Sequence, residues 1–333
     1  MTGPADLWDM ADLLTPMAVR TAATLRLADH MAQGARTAPE LARACGADTD
    51  ALGRLLAHLV RVGVVDRDAQ GRHRTRGEGE RLRSDHPDSL RAELDLEEHL
   101  PRAELALTEL VHSVRTGGAA FPERFGRGFW EVLADDPERA QVYDRRMGTD
   151  VAKDAEAIAA AYDWGALGGV ADVGGGDGTL LAALLRAHPG LRGAVVDRPD
   201  TARRARSLLR EAGFGDRAGA VAADFFSPLP RGYGGYLLSA VVHDWDRASA
   251  VEILRRCAEA AAPQGRVLVA ENTGADGESP DTALDLRMLA FFGGKDRGVG
   301  ELRELGEEAG LRTVGVHPAG RISVVEMAPA GRV

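Results

Sequence analysis

The sequence predicts an α/β chain: a doubly wound, mostly parallel sheet in its second half, preceded by a mainly helical winged-helix module. Three observations carry this. Residues 170–179, VADVGGGDGT, join a short apolar run to a glycine turn and then to a helical pattern in Leu180, Leu181, Leu184 and Leu185. From Gly168 onward strand-like and helical runs alternate, with Pro, Gly or Asp at nearly every junction. Between Thr37 and Thr75 two capped helical patterns run into a hairpin pattern.

In order, Leu7, Met10, Ala11, Leu14, Met17 and Ala18 recur at helical spacing, and Pro16 is expected to separate two helices. An apolar helix here needs a partner surface, either its own domain or a second subunit. Thr37-Ala-Pro-Glu40 fits a capping box for a helix ending at Cys45-Gly46. Asp48 or Thr49 caps the next helix, whose Leu52, Leu55, Leu56, Leu59 and Val60 form one stripe up to Gly63. Val64–Asp66 and His73–Thr75 then flank a turn at 68–71. This winged-helix pattern would suit DNA binding. However, ten arginines stand against seven acids between Arg36 and Arg83, and the second helix offers only Arg54, His58 and Arg61. So small a basic excess favours an architectural or dimerising role.

A helical run over Leu105–Val114, a group of aromatics (Phe121, Phe125, Phe129, Trp130) and a helix from Tyr143–Met147 to Tyr162 follow. The aromatics suit either core packing or the wall of a pocket for a flat substrate. Strands are expected to end near Val173, Asp197, Ala222, Val242 and Ala270, with helices at 178–187, 199–213 and 246–262. Leu311–Val316 and Ile322–Met327, joined by a short turn, form an antiparallel hairpin at the sheet edge. The expected domains are 1–100, helical and dimerising; 101–160, a connector that shapes a substrate pocket; and 161–333, catalytic.

Composition narrows the function classes. The 333 residues are ample for more than one domain. No apolar run approaches the ~20 residues needed to span a bilayer, and the acidic start MTGPADLWDM does not read as a leader. Cys45 and Cys257 lie far apart, which suits a reduced cytoplasmic setting without disulfides or a cysteine metal site. A net charge of −10 argues against nucleic acid or an anionic membrane as partner.

In open α/β sheets ligands sit at the carboxyl ends of the strands. Those ends offer the glycines of 174–178, Asp197, Asp224-Phe225-Phe226, Ser239, His243-Asp244-Trp245 and Glu271, with Gly293-Gly294-Lys295-Asp296-Arg297 after a further helix. The turn spacing Gly174-x-Gly176-x-Gly178 followed by Asp197 on the next strand favours a nucleotide whose ribose needs a carboxylate. His243 stands out because it follows an apolar strand on the ligand face. A histidine there can be structural, Glu271 a cap and Asp296 a turn residue. Together, the two acids could accept from one ring nitrogen and leave the other free as a base. No His/Asp/Glu cluster with metal-ligand spacing is visible, so no metal is expected.

DVGGGDG at 172–178, VVD at 195–197, ADFF at 223–226, LLSAVVHDW at 237–245, AEN at 270–272 and LDLRMLAFFGGKDR at 284–297 make the chain resemble a known family. It is that of the S-adenosylmethionine-dependent O-methyltransferases of the plant caffeate type, in particular their bacterial relatives that decorate aromatic polyketides such as anthracyclines. The winged-helix half fits as well. The resemblance implies a Rossmann-like catalytic domain and a homodimer formed through the N-terminal domain. It implies S-adenosylmethionine held by Gly174, Gly176, Asp197, Asp224, Phe225 and Ser239. It also implies His243 as general base flanked by Glu271 and by Asp296 (glutamate in plant members), and a substrate pocket at Met147, Asp244 and Met288. The spacing from His243 to Asp296 suggests a trimmed loop near 272–283. Some bacterial relatives lack the histidine, or hydroxylate or decarboxylate while keeping the cofactor; His243 favours methyl transfer to a phenolic hydroxyl. A winged-helix regulator that senses the cofactor is the remaining alternative.

Overall fold

Acidic caps set the first helices. In the computed structural model, which describes residues 6–275 and 278–330, Asp6 opens α1 (Leu7–Ala11) by accepting from the Trp8 N–H. Asp12 accepts from Leu14 and Thr15 and opens α2 (Leu14–Thr24). The break therefore falls at Asp12-Leu13 rather than at Pro16. Pro16 is the third residue of α2, where the N–H it lacks would have no intrahelical acceptor. Arg26, at φ 51°, separates α2 from α3 (Leu27–Ala32). Part of the acidic start and part of the 272–283 loop lie outside the described residues.

The chain divides into two compact units, Met1–Leu105 and Ala106–Val333. In the first, Glu40 accepts from the Thr37 N–H at 2.9 Å to start α4 (Ala38–Cys45), and Asp48 accepts from Ala51 at 2.8 Å to start α5 (Thr49–Arg61). Leu52, Leu56 and Leu59 are buried against Leu27, Met31 and Leu41. β1 (Val65–Arg67) and β2 (His73–Thr75) pair antiparallel, and α6 (Arg91–Leu94) and α7 (His99–Ala103) complete the unit. The helix–turn–helix and hairpin are as expected. Several of their basic residues are engaged within the unit: Arg54 pairs with Asp50, Arg74 and Arg76 with Asp66, and the His58 Nε2 lies 3.1 Å from the Thr15 hydroxyl.

The second unit begins with α8 (Leu110–Thr116), shorter than the apolar run suggested because 104–109 form a tighter 3-10 turn. α9 (Phe121–Phe125) and α10 (Phe129–Ala134) carry the aromatics. α11 (Pro137–Ala161) starts well before Tyr143, since Asp136 caps it through the Arg139 N–H and Pro137 occupies its first turn. Then come β3 (Gly169–Val173), α12 (Thr179–Ala187), β4 (Arg192–Asp197), α13 (Pro199–Glu211), β5 (Ala218–Ala222), β6 (Gly235–Ser239), α14 (Arg247–Ala261), β7 (Arg266–Asn272), α15 (Thr282–Phe292), α16 (Val299–Glu308), β8 (Leu311–Ala319) and β9 (Ile322–Pro329).

The sheet order is β5-β4-β3-β6-β7-β9-β8, with the first five strands parallel and β9 and β8 antiparallel. Alternation sorts the strand side chains to two faces. Val170, Val195, Leu237 and Leu268 pack under α11, α12 and α13. Ala171, Val173, Tyr236, Leu238, Val267 and Val269 pack under α14 and α16. The fourth strand of the parallel set ends at Ser239, not near Val242, because 242–244 fold into a 3-10 turn. Among the described residues no helix is long and apolar enough to cross a membrane.

Candidate active site

At the end of β3 the backbone turns through Gly174 (φ 72°) and Gly176 (φ 57°). A Cβ on Gly174 would also lie 2.8 Å from the Val241 side chain, so the turn requires glycine there for space as well as conformation. The Gly176 N–H donates to Asp197 Oδ2 at 3.0 Å, and the Arg198 N–H to Oδ1 at 2.7 Å. Burial pushes Asp197 up to about 6 against these two bonds. Beneath the same turn Asp172 is 1% exposed, and neither of its carboxylate oxygens has a hydrogen-bond partner among the described residues. Burial, then the neighbouring Asp197 and Asp177, raise it to about 7. An orphaned buried acid beside a glycine turn suits a ligand with a positive charge. S-adenosylmethionine carries an ammonium and a sulfonium, so these residues fit it.

The other expected cofactor positions lie on the same edge of the sheet. Asp224 is exposed after β5 and accepts from the Phe226 N–H at 2.9 Å. The Phe225 ring reaches within 3.7 Å of the position a Gly174 Cβ would take. Ser239 closes β6 opposite Ala270.

His243 sits in the 3-10 turn after β6. Its Nδ1 lies 3.1 Å from Glu271 Oε2 and 3.9 Å from Asp296 Oδ1. The other Glu271 oxygen accepts from the N–H groups of Val241 (3.2 Å), Val242 (2.9 Å) and His243 (3.4 Å). Asp296 accepts from the Ser279 hydroxyl at 2.7 Å, and its N–H donates to Asp285. The chain thus brings His243, Glu271 and Asp296 together at one ring nitrogen. The other nitrogen, Nε2, faces Asp244 Oδ1 at 3.4 Å, a contact the sequence reading missed by giving Asp244 only to the substrate pocket. Burial pulls His243 down, but Glu271, Asp244 and Asp296 outweigh it and raise it to about 10. Burial raises Asp244 to about 7, opposed by the neighbouring imidazole.

Beside this turn stands an aromatic wall. Trp130 stacks on Phe292 (centroids 5.2 Å apart) and on Trp245 (6.4 Å), and meets Tyr143 edge-on at 5.7 Å. The Arg198 guanidinium lies 5.6 Å from the Trp130 ring centre, joining the wall to the Asp197 edge. Met288 is buried on α15, which packs against the 242–244 turn, while Met147 is half-buried on α11 four residues beyond Tyr143. Asp172, Tyr143, Arg198 and Phe292 were missed as site residues by the sequence reading, and Trp245 was placed at its strand end without a role. Asp172 alone carried a readable signal, a charge inside an apolar strand. Among the described residues no group of His, Cys, Asp and Glu could hold a metal ion.

A doubly wound sheet with a glycine turn over buried acids, and a histidine against an aromatic wall, defines a transferase that uses a cationic nucleotide donor. Residues 107–312 match the model of the O-methyltransferase domain and residues 8–79 that of the O-methyltransferase dimerisation domain. The chain belongs to the O-methyltransferase family, which bears out the resemblance read from its motifs. It is 52% identical over 318 residues to 2,7-dihydroxy-5-methyl-1-naphthoate 7-O-methyltransferase of Streptomyces carzinostaticus, covering 96% of each chain. It is also 43% identical to aclacinomycin 10-hydroxylase RdmB of Streptomyces purpurascens, over 92% of this chain and 83% of that one. Among solved structures it resembles the O-methyltransferase NcsB1 from neocarzinostatin biosynthesis in complex with S-adenosylmethionine and 2-hydroxy-5-methyl naphthoic acid. That match has a TM-score of 0.90 at 50% identity, over 98% of this chain and 100% of that one.

Proposed function

We propose that this enzyme methylates a phenolic hydroxyl of a fused-ring aromatic natural product, a naphthoate- or anthraquinone-like polyketide, with His243 as general base. The observation that carries the reading is the pairing of His243 Nδ1 with Glu271 at 3.1 Å, which leaves Nε2 on the side of Asp244. Trp245, next in the chain, joins that side to the aromatic wall. S-adenosylmethionine is the methyl donor and supplies the methyl of its sulfonium when bound. Gly174 and Gly176 would hold its methionine part, with Asp172 facing the positive charge. Asp197 would hold the ribose, Asp224 and Phe225 the adenine, and Ser239 would lie close by. Residues 1–100 dimerise, 101–160 shape the substrate pocket and 161–333 bind the donor, in the cytoplasm.

A phenol ordinarily ionises near pH ~10. The carboxylates raise His243 toward that range, so once its own proton has left, Nε2 is basic enough to take the proton of the phenol oxygen. Glu271 then stabilises the imidazolium. This proton transfer contributes on the order of 10²–10⁴-fold. Orientation of the oxygen by the aromatic wall contributes the larger share. The thioethers of Met147 and Met288 adapt to a planar arene.

The test is incubation with methyl-labelled S-adenosylmethionine and a panel of hydroxynaphthoates, hydroxyanthraquinones, catechols and flavonoids, read by mass spectrometry. A gain of one labelled methyl, lost on the order of 10²–10⁴-fold in His243→Ala, is expected. The likeness to RdmB, a 10-hydroxylase, supports a second reading, in which the product gains an oxygen instead and His243→Ala matters little. Neither chemistry, together with sequence-specific DNA binding at physiological salt, would point to a regulator.

A further inference from the structure

The turn that carries His243 is held from two sides. Its N–H groups at Val241, Val242 and His243 donate to Glu271. Its carbonyls face the segment between α15 and α16. There Arg297, 7% exposed, donates from Nη1 to the Val242 carbonyl at 2.8 Å and to the Lys295 carbonyl at 3.2 Å, and from Nη2 to the Trp245 carbonyl at 2.8 Å. The Lys295 N–H donates to the His243 carbonyl at 2.9 Å. A Cβ on Gly294 would lie 2.1 Å from that same carbonyl, so only glycine permits the approach. Asp296, between Lys295 and Arg297, turns the other way to the imidazole. Just upstream, Ala240 holds φ 52°, a conformation the flanking contacts must maintain.

We infer that Arg297 is a positioning residue for the methyl transfer: its guanidinium fork locks the carbonyl side of the 242–245 turn onto the segment carrying Asp296, and so fixes the His243 ring against Glu271. The inference rests on the reading of His243 as the base. A planar fork with several donors reaches separated carbonyls at once, which a single ammonium cannot do. Arg297 touches none of the reacting groups. It acts through the backbone of the turn, so its loss lets the ring swing relative to Glu271 while the glycine turn stays intact.

Arg297→Lys keeps the charge and removes the fork; Arg297→Gln keeps two donors and removes the charge. Each full-length variant is compared with wild type for methylation of a hydroxynaphthoate, for S-adenosylhomocysteine binding by calorimetry, and for titration of the His243 ring by NMR, which needs no substrate. In Arg297→Lys, kcat falls about 10²-fold, the S-adenosylhomocysteine affinity stays within threefold, and the His243 midpoint drops as Glu271 loosens its hold. An unchanged midpoint, or kcat within threefold of wild type, would overturn the inference. So would loss of S-adenosylhomocysteine binding or of folding in both variants, which would assign Arg297 to stability alone. His243→Ala run alongside separates the two readings: if it retains activity, the base assignment has failed. If it is inactive while Arg297→Lys is not, only this inference has.

Discussion

Glu271 uses its two oxygens differently, and that division makes it the sharpest single-residue test of the site. One oxygen gathers three backbone N–H groups, and the other faces His243 Nδ1. Glu271→Gln retains the shape and can still accept from the backbone. Its NH2 group, however, then points at Nδ1 and forces that nitrogen to accept. The ring proton moves to Nε2, which can no longer take the proton of a phenol. In a serine protease triad the equivalent acid-to-amide change costs about 10⁴-fold by this tautomer effect, and we expect a loss of about 10³–10⁴-fold in kcat here. The pH dependence should change as well. In wild type the rate should climb through the neutral range toward a midpoint near the raised value of about 10 for His243, because the base must first lose its proton. With the carboxylate neutralised, the midpoint should move down toward the ordinary histidine range. A pH–rate profile for both forms checks this; an unshifted alkaline limb with kcat within tenfold of wild type would contradict it.

At the scale of elements, local chemistry was legible wherever a cap or a turn residue ended a run. Thr37 and Glu40, Asp48, Gly46 and Gly63, and the glycines after β3 marked their boundaries because each satisfies or bends the backbone locally. Errors arose where tertiary contacts decide. Pro16 looks like a breaker, yet sits in a first helical turn. Val242 continues an apolar run, yet Glu271 draws it into a 3-10 turn. Arg297 was visible only as part of GGKDR, since the Val242 and Trp245 carbonyls that it binds lie more than fifty residues away. One element remains unexplained by its own unit: α1 has five residues and none of them is buried. Leu7, Trp8, Met10, Leu13 and Leu14 are each at least 65% exposed. So short a helix is marginal alone, and an apolar patch of this kind marks an interface. Residues 8–79 match a dimerisation domain, so a second copy of this chain is the expected occupant. Trp8→Glu with Leu14→Asp should turn a dimer into a monomer by light scattering while the circular dichroism stays that of a folded helical protein. A double variant that remains dimeric would move the interface elsewhere.

For the molecule as a whole, the recurring theme is acid held out of water. The net charge is −10, and the carboxyl ends of the sheet concentrate Asp172, Asp197, Asp244 and Asp296, all raised first by burial. Asp172 and Asp197, raised to about 7 and about 6, favour folding in their protonated forms. That contribution is present below the ordinary carboxyl range near pH ~4 and is lost as pH rises through 6 to 7. A positively charged donor prefers both acids ionised. By linkage its binding must therefore release protons in that window and strengthen as pH rises through it. We expect the dissociation constant for S-adenosylmethionine to tighten by about tenfold or more between pH 5.5 and 7.5, which corresponds to ~1.4 kcal/mol or more of binding free energy. Calorimetry in buffers of different ionisation enthalpy should read proton release near pH 6.5. Asp172→Asn removes the buried acid without changing its size. It should flatten the pH dependence, weaken donor binding at pH 7.5 and raise the melting temperature of the ligand-free protein there, an exchange of function for stability at one position. A pH-independent affinity in wild type, or a donor affinity untouched in Asp172→Asn, would show that the positive charge is met elsewhere in the cleft.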